Sequence, residues 1–88
     1  MGQLRNLGPA SLRMLAAAGI SSDADLRALG SVAAYLAVKR TEANASLNLL
    51  WALEGALTGR DSRVVAREDR TALLLYLDDM ERRTASSD

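Results

Sequence analysis

Apolar residues recur at spacings of three and four through most of the chain, and short polar or glycine-containing segments separate these stretches. Such spacing is typical of helices that bury one face. The pattern predicts five helices, over residues 9–18, 23–29, 31–40, 45–58 and 67–83. Residues 41–44 and 60–66 are predicted to be connections, and residues 84–88 a frayed tail. We therefore expect an all-α fold, a compact five-helix bundle, in a single domain over residues 1–88.

The segment over residues 45–58 is the most apolar of the five. Its apolar positions fill more than half of a helical wheel, which is typical of a helix covered on most sides. We therefore predict that it is the central helix, with Leu50, Leu53 and Leu57 largely buried and Glu54 on its polar side.

The composition supports this prediction and narrows the class of protein. Nearly half of the 88 residues are apolar (49%), but there is no phenylalanine and one proline, and alanine and leucine dominate. This bias favours helix over strand. There is no cysteine, no apolar run of the ~20 residues that span a bilayer, and no charged-then-apolar leader. These features predict a cytoplasmic protein without a membrane partner.

The sequence contains few residues of the types that carry out catalysis. Histidine and cysteine are absent, and the closest carboxylate pairs are Asp23 with Asp25 and Asp78 with Asp79. The first pair is explained by a helix cap, and the second lies on the polar side of its helix. Since no set of catalytic roles can be assembled, we predict a protein that is not an enzyme, with no metal, cofactor or small-molecule substrate.

One sequence pattern occurs twice. Leu-Arg-x-Leu-Gly stands at residues 4–8 and again at residues 26–30, and each copy runs into a predicted helix. Each is expected to be a helix–helix corner. The second leucine would pack inward, and the glycine would take the left-handed or extended backbone that the corner needs.

In helix-hairpin-helix modules, corners of this kind bind DNA: backbone N–H groups at a helix N-terminus donate hydrogen bonds to a phosphate. The alternative is a structural role, because glycine is the commonest residue to end a helix. Residues 1–40 carry five basic and two acidic residues, a net charge of +3, and the remainder carries −3. The candidate nucleic-acid-binding residues are Arg5, Gly8, Ala10, Ser11, Arg27, Gly30, Ser31, Val32 and Ala33.

A second group of residues is a candidate for binding a partner protein. Leu75 falls at the centre of the polar stripe of the last helix, and Tyr76 is adjacent to it. Trp51 flanks the polar positions of the central helix, where either a partner or another part of the chain would cover it. Leu75 is expected to be more than half exposed.

Residues 4–59 carry a family resemblance. Leu7-Gly8-Pro9, Gly19-Ile20, the run 25–30 and Tyr35 follow one another as in the C-terminal domain of the TfoX/Sxy family. The most specific part is the run 46–57, Ser-Leu-Asn-Leu-Leu-Trp-Ala-Leu-Glu-Gly-Ala-Leu, which is similar to the family's.

The resemblance implies a small helical bundle related to helix-hairpin-helix folds. It also implies a regulatory role, because family members with both domains regulate natural transformation together with the cyclic-AMP receptor protein. Two hypotheses follow for this chain. It is either a regulatory module with weak, non-specific DNA binding that acts with a transcription regulator, or a module that binds a protein or a second copy of itself without touching DNA.

Overall fold

A computed structural model describes the backbone of residues 7–86 and the side chains of residues 7–83. Within this range the chain forms six helices and no strand. These are α1 (Pro9–Ala17), α2 (Asp23–Leu29), α3 (Ser31–Thr41), α4 (Leu47–Thr58), α5 (Ser62–Glu68) and α6 (Arg70–Ser86). The all-α class is confirmed, whereas the number of five helices is wrong. No described helix combines the length and apolar character that crossing a membrane requires.

The additional helix, α5, lies in the segment that was predicted to be a connection. Asp61 precedes it, and the Asp61 carboxylate accepts a hydrogen bond from the backbone N–H of Arg63 at 2.8 Å. Val65 is fully buried, which anchors the short helix to the core. The other bounds differ by a few residues: α4 begins two residues later than predicted, and α6 begins at Arg70 and extends to Ser86.

The core is built around α4, as predicted. α4 packs against α3 and α5, and α3 also contacts α1, α2 and α6. Leu50 and Leu53 are fully buried, while Leu57 is only half-buried and packs against the core from its edge. Burial also raises the pKa of Tyr35 on α3, whose hydroxyl donates a hydrogen bond to the carbonyl oxygen of Ala45 at 3.4 Å. These contacts tie α3 to the segment that leads into α4.

The two Leu-Gly corners have different geometries. Gly8 is extended, with φ −87° and ψ −180°, and Leu7 is half-buried against the core. Gly30 has φ +82°, a region that favours glycine, and it separates α2 from α3. Here the inward leucine is Leu26, which is fully buried, while Leu29 is 46% exposed. The prediction that the second leucine packs inward is therefore wrong at this corner, because α2 turns Leu26 to the core and leaves Leu29 at the rim.

An ion pair joins the end of the α4–α5 turn to the start of α6. The guanidinium of Arg60 donates a hydrogen bond to the Asp69 carboxylate, and both side chains are about one-third exposed. This hydrogen bond holds the pKa of Asp69 below its ordinary value and raises that of Arg60. The pair therefore stabilises the folded chain only while Asp69 is ionised.

The Arg60–Asp69 pair predicts an acid-dependent loss of stability. A carboxyl whose pKa is lower in the folded state contributes stability above its unfolded pKa of about 4, and loses it as the pH falls through its folded pKa. Asp69→Asn should therefore be less stable than the wild type at neutral pH, and the difference should shrink in acid. Thermal unfolding followed by circular dichroism from neutral to acidic pH measures it. Asp78→Asn, in the more exposed pair with Arg82, is the control. A constant difference between Asp69→Asn and the wild type would contradict the prediction.

Candidate functional site

An open groove of about 340 Å³ lies between the α2–α3 corner and α6. Leu29, at the end of α2, and Tyr76, on α6, are both exposed and line it, and the half-buried Leu57 and Leu73 lie deeper. We call it the α2–α6 groove. Its full lining is Leu29, Gly30, Ser31, Val32, Ala33, Glu54, Leu57, Ala72, Leu73 and Tyr76.

The described part of the chain exposes three large apolar side chains, two of which line this groove. They are Leu29 (46% exposed), Tyr76 (57%) and Leu75 (65%). The first two line the groove, and Leu75 is next to Tyr76 on α6. The prediction that Leu75 is more than half exposed is confirmed. The inward side of α6, including Leu77, already packs on the core, so Leu75 and Tyr76 are available for contact with another molecule.

The groove contains one carboxylate, that of Glu54. Its Oε1 accepts a hydrogen bond from the hydroxyl of Ser31 at 2.8 Å. Ser31 is the first residue of α3 and is 6% exposed, so the carboxylate lies beside the N-terminus of that helix, where the helix dipole favours negative charge. Glu54 also contributes to raising the pKa of Arg60. The Glu54 side chain, predicted to be solvated, therefore belongs to an interhelical contact.

The hydrogen bond between Ser31 and Glu54 bears on the prediction that the second corner binds a phosphate. Ser31 and Val32 are buried, at 6% and 4% exposure. The Ser31 hydroxyl is engaged by Glu54, and a carboxylate at this position repels a phosphate. Of the other candidates at this corner, Arg27 is exposed and Gly30 is half-buried. Ser31 and Val32 are therefore largely closed to solvent, and α4 places its own carboxylate beside the corner. Phosphate binding by the backbone N–H groups of this corner stays a prediction.

The first corner is more open. Gly8 and Ala10 are exposed, Ser11 is half-buried, and no side chain caps the helix at Gly8. Ser11 lines a second groove, which also contains Glu42 and shares no residue with the α2–α6 groove. The two corners thus do not contribute to one groove. Arg5, the matching basic residue, lies outside the described residues.

Trp51 was predicted to be covered either by a partner or by another part of the chain, and the structure shows the second alternative. The side chain is only 5% exposed and belongs to the core cluster. The reason is that α4 is covered by α3 and by the unpredicted helix α5. Trp51 therefore contributes to the core of the domain and offers no exposed area to a partner.

The fold defines the class of the molecule as a small all-helical domain. Among the described residues there is no cluster of three or more histidine, cysteine or acidic side chains that would hold a metal ion. A family model, the TfoX C-terminal domain, matches residues 1–77 of the 88-residue chain. The chain belongs to the TfoX C-terminal domain family, as its sequence indicated. No curated protein and no solved structure matches it.

Proposed function

We propose that this chain is a regulatory module that acts by binding a protein, and that the contact surface is the α2–α6 groove together with Leu75. The observation that carries the proposal is that the exposed apolar side chains of Leu29 and Tyr76 line one groove, while Leu75, also exposed, follows in the neighbouring position on α6. Aromatic residues are enriched in protein interfaces, at whose cores charged residues are depleted. Membership of the TfoX C-terminal family supports a role in regulating competence.

DNA binding is the alternative, and the geometry supports it less. The chain has no net charge, whereas DNA-binding domains are usually strongly basic. One of the two candidate corners carries the Glu54 carboxylate, and the other retains an exposed helix N-terminus without a cap. A contact limited to such a terminus would be weak and would not discriminate between sequences.

The proposed contact surface predicts the effect of a single substitution on regulation. Leu75→Asp places a charge beside Tyr76 on the exposed side of α6 and should lower transformation frequency at least about tenfold, because a buried unpaired charge costs several kcal/mol at an interface. Stability should change by less than about 0.5 kcal/mol, since Leu75 is a surface residue. The measurement is the transformation frequency of a transformable host that carries this gene, with the wild-type gene replaced by the variant.

Ala43→Asp provides the matched control, since it makes the same kind of change at an exposed position in the turn between α3 and α4. It should leave both transformation and stability near the wild-type values. Wild-type transformation in Leu75→Asp, with the gene's deletion showing a defect, would contradict the proposed surface.

A titration with duplex DNA at low salt distinguishes the alternative. The proposal predicts no measurable change in the fluorescence anisotropy of a labelled duplex. Binding through the first corner would instead give a log–log salt slope of roughly −2 to −4, for about two to four phosphate contacts. The affinity for DNA would also be lower in the Arg5→Ala, Arg27→Ala double variant than in the wild type. That result would favour the DNA hypothesis.

A further inference from the structure

We infer that the α2–α6 groove binds an arginine side chain of the partner protein, with Glu54 as the recognising carboxylate. The inference rests on the proposed function and adds the chemistry of the partner. Two features carry it: a carboxylate that is only partly satisfied, and apolar and aromatic walls that flank it.

The carboxylate has an oxygen available for a guest. Ser31 donates to Oε1 of Glu54, and no other described residue donates a hydrogen bond to this side chain. Glu54 is half-buried in a groove lined mostly by apolar side chains. In such surroundings a hydrogen bond from a charged donor is stronger than a neutral one. Oε2 is therefore the natural acceptor for a cationic group that enters the groove.

Two positive charges of the fold lie near the Glu54 carboxylate. The N-terminus of α3 presents the positive end of a helix dipole beside it, and the charge of Arg60 acts on it from the end of α4. Neither of these charges donates a hydrogen bond to Oε2. The site is thus preformed, and binding need not displace an internal ion pair from it.

The walls favour arginine over lysine. The aliphatic part of an arginine packs against apolar surface, here that of Leu57 and Leu73, while its charged head reaches a polar group. Its planar guanidinium also stacks on an aromatic ring, and Tyr76 lies at the edge of the same groove. A lysine ammonium offers no plane for such stacking. The volume of about 340 Å³ is at the small end of the ~300–1,000 Å³ range of ligand pockets, which suits one long side chain.

The experiment is a titration of the ¹⁵N-labelled chain with capped tripeptides, followed by NMR. Three peptides differ only in the central residue, which is arginine, citrulline or lysine. The arginine peptide should shift the backbone signals of Leu29–Ala33, Glu54 and Tyr76, with saturation in the millimolar range. Citrulline has nearly the same shape without the charge, and it should bind at least about tenfold more weakly. The lysine peptide should have an affinity between those of the arginine and citrulline peptides.

Glu54→Gln tests the carboxylate itself. The glutamine oxygen still accepts the Ser31 hydrogen bond, so the helices stay joined, but the arginine peptide should lose at least about tenfold in affinity. Tyr76→Ala should lower the affinity for the arginine peptide several-fold. Glu42→Gln, in the other groove, should leave that affinity unchanged. Equal binding of the arginine and citrulline peptides, or of Glu54→Gln and the wild type, would overturn the inference. So would an absence of shifts in the wild type.

The inference and the proposed function fail in different ways. If the arginine peptide does not bind while Leu75→Asp still abolishes regulation, the groove recognises another feature of a protein partner. If Leu75→Asp has no effect on regulation, the contact surface itself is wrong. Light scattering of the unmodified chain separately shows whether the partner is a second copy, which exposes several arginines of its own.

Discussion

Replacement of Leu53 by alanine is expected to lower the free energy of unfolding by about 2–5 kcal/mol. Leu53 is fully buried near the middle of α4, which packs against both α3 and α5. The substitution removes apolar contacts and leaves a cavity, because α3 and α5 cannot both move in to fill it. Since a small domain has about 5–15 kcal/mol of stability in total, the loss is a large fraction of it. Urea unfolding followed by circular dichroism measures the change.

Leu75→Ala provides the control for Leu53→Ala, because it removes the same atoms from a side chain that is 65% exposed. Its free energy of unfolding should differ from the wild type by less than about 0.5 kcal/mol. Equal effects of the two substitutions would mean that α4 is not the core helix.

Replacement of Trp51 by alanine is expected to cost about 3–5 kcal/mol, the range for a buried large aromatic side chain. Trp51 is 5% exposed and is the one tryptophan of the chain. Its fluorescence in the wild type should therefore be blue-shifted in the folded state and should move to longer wavelength on unfolding. The stability of Trp51→Ala itself is measured by circular dichroism.

The same substitution separates a core role from an interface role. A tryptophan at an interface would, when replaced, weaken partner binding and leave the isolated chain stable. Tyr76→Ala is the comparison, since Tyr76 is 57% exposed and should change stability by less than about 0.5 kcal/mol. A stable Trp51→Ala variant with an unchanged melting temperature would contradict its assignment to the core.

Helical periodicity predicted the long helices because each has enough turns to display a buried face. It predicted α4 as the core for the same reason. It missed α5, which has seven residues, one buried valine and several charges. The available signal was local: Asp61 is a good N-cap residue, and it stands four positions before the buried Val65. With residues 60–66 predicted to be a loop, the sequence left open whether the chain itself or a partner covers Trp51.

The groove could be predicted only in part. The exposure of Leu75 followed from its place among polar residues on one helix. The exposure of Leu29 and the engagement of Glu54 depend instead on how separate helices meet. Ser31 and Glu54 are 23 residues apart, and no local pattern indicates that a glutamate on one helix will face the N-terminus of another. The resemblance identified the family but did not locate this contact.

The order of packing has a consequence for how fast the domain forms. Helices α2, α3, α4 and α5 each pack on the next one along the chain, and α3 also contacts α1 and α6, of which α6 is the more distant in sequence. Topologies dominated by such local contacts fold in microseconds to milliseconds, because little loop-closure entropy is lost before contacts form. Docking of α6 closes the longest loop, and this same step builds one wall of the α2–α6 groove. The proposed contact surface is therefore completed only when folding is complete, and partly folded chains would not present it.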